Sequence, residues 1–260
     1  MPYSMRIALF QMNVRWGDVQ ANMQSLHTWI KEHFLETDLL VLPEMFTTGF
    51  CVDSSTLAET EDGPTLKQLQ EWSRSYHIAI TGSLMIHENG TNYNRAFFLT
   101  PEDEPVYYDK RHLFQMGSEG RYFTKGEKRV IVSYLGWNIL LQICYDLRFP
   151  VFSRVRNNDY DLVIYMACWP TARIGAWKTL LPARAIENEV YVCGVNAVGV
   201  DSEGRRQGGN SMLLDMKGQS LLSLSDTEEN SAIMDIQIDD LHLFREKFPA
   251  WKDADDFECL

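Results

Sequence analysis

"LLQICYDLRFP", residues 140–150, is the stretch whose reading decides the architecture. The apolar run that begins at Trp137 reads as a buried strand. It stops at a thiol, Cys144, followed by an acid at Asp146, a base at Arg148 and a proline at Pro150. A core strand that ends this way has two readings. Cys144 is either a small core residue near an edge or a nucleophile presented where a strand gives way to a loop.

On either side of this stretch, strands alternate with helices. Upstream, "MRIALFQMNV" (5–14) is a strand, and Val19, Met23, Leu26, Ile30 and Phe34 recur at the three- and four-residue steps of an amphipathic helix. "TDLLVLPE" (37–44) is a short buried strand. A helix starts at Pro64, strand "IAITGSLMI" (78–86) follows, and "YNRAFFLT" (93–100) with Pro101 and Pro105 suggests a hairpin. Downstream come a short helix from Pro150, strand "DLVIYMACWP", a helix over Trp177–Glu189, strand "VYVCGVNAV" and a β-rich tail to Ile238. Pro182 predicts a kink or restart in the longer helix, because proline lacks the N–H that an interior turn needs. No linker, repeat or low-complexity segment divides the chain. The pattern is one α/β domain over residues 1–260, with helices packed on mixed sheets and a carboxyl-terminal extension from about 240.

Composition narrows the function. The 260 residues are 45% hydrophobic and 23% charged, as in an ordinary globular protein that buries a sizeable core. With 24 basic and 36 acidic residues the net charge is −12, which argues against a nucleic-acid or anionic membrane surface. An anionic substrate would need local arginines. No apolar run approaches the roughly 18 residues that span a bilayer, and the amino terminus lacks a signal-peptide layout. Five scattered cysteines without a CxxC fit a reducing cytoplasm better than a disulfide framework or a zinc site.

Three junctions carry unusual chemistry: "LVLPEMFTTGF" delivers Glu44, "YYDKRHLF" places Lys110 among aromatics, and "ICYDLRFP" ends on Cys144. Charged groups within apolar stretches are costly unless paired. Singly, each has an ordinary reading: a solvated loop glutamate, a surface lysine, a small core cysteine. Cys51 and Cys168 lack a junction with both Glu and Lys, and Cys193 lies inside a strand. A thiol–imidazole pair with His112 is the rival arrangement, but nothing local marks the third group that would orient it.

Together these stretches resemble the nitrilase, or carbon–nitrogen hydrolase, superfamily, whose members carry a Glu–Lys–Cys triad in this chain order. The resemblance runs from "IALFQMNVRWGDVQANM" to "FREKFPAWKDADDF", nearly the whole chain. "LPEMFTTGF", "ICYDLRFPVFSR" and "ARAIENEVYVCGVNAVG" bring it nearest to the omega-amidase branch. It implies a four-layer α-β-β-α sandwich, no cofactor or metal, and a homodimer. Glu44 matches the general base, Lys110 the catalytic lysine, Cys144 the nucleophile and Glu119, in "GSEGRYFTKG", a second glutamate that orients the lysine or a water. The backbone N–H of Tyr145 would join Lys110 in holding an oxyanion. Two positions depart from the pattern: Cys168, where relatives commonly carry Asn, and Pro182, where they continue a helix.

The implied activity is hydrolysis of the terminal amide of a small 2-oxo acid, such as 2-oxoglutaramate. Arg148, Arg173 and Arg184 are candidates for its carboxylate, with Arg173 favoured because Arg148 has Asp146 or Glu187 as potential partners. Trp169, Phe114 and Tyr145 are candidate pocket walls. Another small amide (deaminated glutathione or an N-carbamoyl amine) is the alternative substrate, although the short loops predict too small a pocket for a peptide-like one. An inactive binding scaffold is the alternative from a different class.

Overall fold

Residues alternate between two faces along β1 (Ser4–Gln11): Ile7 and Leu9 turn one way, Ala8 and Phe10 the other, and all four are buried. A strand with both faces covered requires a layer on each side. The computed structural model, which describes residues 4–53, 55–117, 119–226 and 228–255, shows those layers. After β1 come α1 (Val19–His33), β2 (Leu39–Val41), α2 (Pro64–Tyr76), β3 (Ala79–Glu88), β4 (Thr91–Leu99), β5 (Val106–Asp109) and the single turn α3 (Glu119–Tyr122). The second half holds β6 (Ile131–Tyr134), β7 (Trp137–Ile143), α4 (Pro150–Ser153), β8 (Leu162–Ala167), α5 (Ile174–Asn188) and β9 (Tyr191–Asn196). It closes with β10 (Met212–Leu214), β11 (Ser220–Ser223), β12 (Asn230–Gln237) and α6 (Ile238–Lys247).

Two six-stranded sheets result, ordered β12-β1-β2-β3-β4-β5 and β11-β10-β9-β8-β7-β6. In each, three central strands run parallel (β1, β2, β3 and β7, β8, β9), and antiparallel strands flank them. Ile7, Leu9, Leu39 and Val41 of the first sheet meet Ile139, Leu141, Ile164 and Met166 of the second. The outer face of the first sheet packs Phe10, Leu40 and Leu42 against Leu26 and Ile30 of α1 and Leu69 and Trp72 of α2. Leu140, Val163 and Tyr165 cover the second sheet's outer face against Trp177, Leu181 and Ala185 of α5. This is the expected four-layer α-β-β-α sandwich. Each fully buried Leu or Ile contributes about 1.5–3 kcal/mol, against about 0–1 for a surface ion pair, so these three apolar seams hold the layers together.

Local signals place the helices. The Asp18 carboxylate accepts from Ala21 N at 3.0 Å and starts α1, while Pro64 opens α2 and His77 closes it in the left-handed region. Of the kink or restart expected at Pro182, the restart is not there. α5 runs from Ile174 to Asn188 as one helix with Pro182 inside it, held by the packing of Trp177, Leu181 and Ala185 on the sheet. α6 is anchored where the carboxyl-terminal extension was expected: Ile238 and Leu241 enter the core between the sheets, and Arg245 Nη1 donates to the buried Asp161 at 2.9 Å.

Candidate active site

The three chemically unusual junctions converge. Glu44 lies three residues beyond β2, Lys110 directly follows β5, and Cys144 directly follows β7. Ligand sites at the carboxyl ends of parallel strands are the general expectation for such sheets. The chain at Lys110 is held by Gly126, whose N–H donates to the Lys110 carbonyl at 2.9 Å, and a Cβ at Gly126 would collide with Asp109. Cys144 opens a single 3₁₀ turn, Cys144–Arg148, with φ of 44°. A left-handed conformation is rare for a non-glycine residue. A sharp, strained strand-to-helix turn of this kind lifts a side chain out of the sheet end.

Lys110 Nζ donates to Glu44 Oε1 at 2.7 Å and to both oxygens of Glu119 at 3.0 Å. Asn94 Nδ2 bridges the same two carboxylates, at 2.8 Å to Glu44 Oε1 and 2.9 Å to Glu119 Oε1. Ser83 Oγ donates to Asn94 Oδ1 at 3.0 Å and accepts from Met45 N at 2.9 Å, so it fixes both the amide and the turn after Glu44. Cys168 N donates to Glu44 Oε2 at 2.9 Å, and Phe114 N to Glu119 Oε2 at 2.6 Å.

The side chains of Glu44, Lys110 and Glu119 are at most 1% exposed, so the cluster buries two carboxylates on one ammonium. Burial alone would discharge Lys110, but Glu119 and Glu44 outweigh it and raise its pKa, keeping the ammonium charged. Burial pushes the Glu119 carboxyl up, with Lys110 opposing and Glu44 reinforcing the shift. The Cys144 thiol is raised well above its ordinary value, first by desolvation and next by Glu44, with Lys110 acting the other way. At neutral pH it therefore rests as a thiol beside Glu44.

Glu44 and Lys110, but not Glu119, line a cavity of about 960 Å³, which Cys144 reaches. Phe114, Tyr145 and Trp169 line its walls. Arg173 lies over the Phe114 ring at 4.9 Å and Arg148 over the Trp169 ring at 5.1 Å. Neither guanidinium has a carboxylate within ion-pair distance among the described residues. Among the same residues, no group of three or more His, Cys, Asp and Glu side chains could hold a metal ion.

Five expectations need correction. Arg148 pairs with neither Asp146 nor Glu187: Asp146 is taken by Tyr108, His112 and Ile143, and Glu187 by Arg184. Arg184 itself is buried, donating to Leu147 O and Glu187, and does not line the cavity. Cys168 does not stand apart, since it lines the same cavity and its Sγ donates to Glu44 O at 3.0 Å. The cavity is also roomier than short loops suggested. His112 does have an orienting group, Asp146 at 2.8 Å from Nδ1, and its ring stacks on Phe149 at 3.9 Å, outside the cavity lining. Sequence reasoning missed Asn94 and Ser83. The available signal was polarity where the alternation of β3 and β4 demands burial: both are 0% exposed.

Two stacked mixed sheets with this thiol, ammonium and carboxylate beyond the carboxyl ends of their strands define a class, and comparison with known proteins identifies it. The carbon–nitrogen hydrolase family profile matches residues 6–246, and the chain belongs to that family. Among its relatives is the omega-amidase YafV of Yersinia enterocolitica, 40% identical over 259 residues that cover 99% of each chain. The 2-oxoglutaramate amidase of Bacillus subtilis is 29% identical, over 95% of this chain and 96% of that one. In structure the chain is similar to a CN-hydrolase superfamily protein from Xanthomonas campestris that carries an arsenic adduct in its active site. The TM-score is 0.96, at 39% identity and 99% coverage of both chains. The chain is thus a carbon–nitrogen hydrolase with omega-amidases among its relatives.

Proposed function

We propose that the protein is an omega-amidase that hydrolyses the terminal amide of a 2-oxo acid, 2-oxoglutaramate first among them, to the dicarboxylate and ammonia. The observation that carries this reading is the buried ammonium of Lys110 against Glu44, 2.7 Å apart, on the floor of a cavity that Cys144 reaches. Glu44 takes the thiol proton as Cys144 Sγ bonds to the amide carbon. Lys110 and the Tyr145 N–H, in the first turn of a 3₁₀ helix where backbone donors lack intrahelical acceptors, stabilise the oxyanion. The tetrahedral adduct collapses as Glu44 returns the proton to the departing nitrogen, leaving a thioester. Water then gives a proton to Glu44 and attacks the thioester carbonyl. The acid leaves, and Cys144 recovers the proton. Glu119 holds Lys110 charged and in place.

Arg173 on Phe114, with Arg148 on Trp169, is the cation set for the substrate carboxylate. In a chain of net charge −12, unneutralised guanidiniums at one cavity favour an anionic substrate. The names of the relatives from Yersinia enterocolitica and Bacillus subtilis support the same reading. A longer amide such as deaminated glutathione is the second reading, favoured by the cavity volume. We further propose one domain acting as a cytoplasmic homodimer, in keeping with the free cysteines Cys51, Cys144, Cys168 and Cys193. The test is ammonia release from a panel of omega-amides. Turnover of 2-oxoglutaramate at least about a hundredfold above glutamine in kcat/KM, roughly 2.7 kcal/mol, is expected, because glutamine would bring an ammonium toward the guanidiniums that hold the neighbouring carboxylate. Comparable rates would sink the omega-amidase reading, and no ammonia from any amide would favour an inactive scaffold.

A further inference from the structure

We propose that Asp146 is a positioning residue that sets the separation of Cys144 and Lys110. Its carboxylate is completely buried and does not line the cavity, so it meets no substrate. It nevertheless gathers four donors. Oδ2 accepts from Tyr108 Oη at 2.7 Å and from Ile143 N at 3.0 Å, and Oδ1 accepts from His112 N at 2.9 Å and His112 Nδ1 at 2.8 Å. Both oxygens are saturated.

The spacing of those donors gives the arrangement its meaning. Tyr108 lies two residues before Lys110 and His112 two residues after, so the segment carrying the ammonium is tied on both sides to one carboxylate. Tyr108 Oη also accepts from Arg111 N at 3.1 Å, which tightens the turn beyond Lys110. The fourth donor, Ile143 N, belongs to the residue before Cys144. Its bond closes the turn that keeps Cys144 at a φ of 44°. Lys110 follows a strand of the first sheet and Cys144 a strand of the second. Asp146 is thus a single anchor for two reactive groups that arrive on different layers. His112 is braced in turn by stacking on Phe149. The anchor works through position, since misplacing a reacting group by about 1 Å can cost on the order of a hundredfold in rate.

This inference rests on Cys144 and Lys110 performing the chemistry, which turnover of 2-oxoglutaramate by the parent enzyme tests first. An inactive parent sinks that reading, whereas an active parent with indifferent variants sinks this one. Tyr108→Phe deletes one tether and keeps the ring. Asp146→Asn keeps the shape but turns an N–H₂ toward a donor. Asp146→Glu keeps the charge and displaces it by a methylene. The readout is kcat per Cys144 titrated by iodoacetamide, with KM and melting temperature measured alongside. We expect kcat to fall about tenfold in Tyr108→Phe and about a hundredfold in both Asp146 variants, with KM within about threefold. Adding Tyr108→Phe to Asp146→Asn should cost nothing more, because the tether acts through the carboxylate. A purely structural role would lower the melting temperature and leave kcat per titrated thiol unchanged. That result in Tyr108→Phe overturns the proposal even if the Asp146 variants fail to fold. Full activity in Asp146→Glu overturns it too, since charge rather than position would then suffice.

Discussion

Replacing Glu119 by Gln probes the buried charges where they are most finely balanced. Every contact of the Glu119 carboxylate comes from a donor: Lys110 Nζ on both oxygens, Asn94 Nδ2 on Oε1 and Phe114 N on Oε2. Gln offers one oxygen and one N–H₂, so in either orientation its own donor faces two others. Leaving a buried donor unsatisfied costs about 1–3 kcal/mol. Lys110 also loses one of its two countercharges, and the cluster passes from one net negative charge to neutrality. Part of that penalty falls on the folded state, and part on the placement of Lys110 against the developing oxyanion. A share of about 1.4–2.7 kcal/mol in the transition state predicts a 10- to 100-fold fall in kcat. KM should stay within about threefold of the parent, because Glu119 does not line the cavity. The pH profile gives an independent sign. Burial raises the Glu119 carboxyl, so it takes up its proton at a higher pH than an ordinary carboxyl and activity is lost early on the acid side. In Glu119→Gln that group no longer titrates, and the acid limb should move down. The assay is initial-rate ammonia release from 2-oxoglutaramate, normalised to titrated Cys144. An unchanged kcat together with an unmoved acid limb would refute the reasoning.

Lys110→Arg should lose more than about nine-tenths of the rate, a cost above roughly 1.4 kcal/mol, since a planar guanidinium cannot fill a site built for a point-like ammonium between two carboxylates. A variant with higher activity would remove Lys110 from the oxyanion site. Alkylation should map to Cys144 and, because its pKa is raised, proceed slowly at neutral pH and rise with pH beyond the ordinary thiol range. A rate already level below pH 7 would contradict the thiol ground state, and activity surviving in Cys144→Ala would exclude it as the nucleophile. Arg173→Ala should lose at least about tenfold more kcat/KM on 2-oxoglutaramate than on a simple aliphatic amide, about 1.4 kcal/mol of carboxylate recognition. Equal losses on both would assign Arg173 to packing on Phe114.

What the sequence disclosed follows from what sequence patterns encode. Glu44, Lys110 and Cys144 stand out because each interrupts or ends an apolar run, and such residues need a reason to be there. The parallel strands were legible for the same cause: "LVIYMA" (162–167) is buried at every position. Asn94 was legible only in part, because its polarity within a buried strand is a signal but does not say which groups it meets. Only the register of β3 against β4, with Met85 opposite Asn94, turns it toward the two carboxylates. The pairing of Arg148 went wrong for a related reason. Asp146 is the near neighbour in sequence, but a 3₁₀ turn sends its carboxylate back to Ile143 N and across to the other sheet. Pro182 does not restart the helix because the local cost of a proline, about 3 kcal/mol, is weighed in the fold against the burial of a whole helix face.

The two sheets divide the reactive groups between them. The carboxylates, the amide and the ammonium belong to the first half of the chain, and both cavity thiols, Cys144 and Cys168, to the second. The first sheet is also finished late, since β1 waits for β12, at residues 230–237, to pair along its open edge. A nascent or partly unfolded chain therefore carries its thiols and its base on separate, undocked pieces. Pairings this distant in sequence form slowly and late. Hydrolytic competence should appear all at once when the layers close, and a refolding chain followed by ammonia release should lag behind the same chain followed by helix signal.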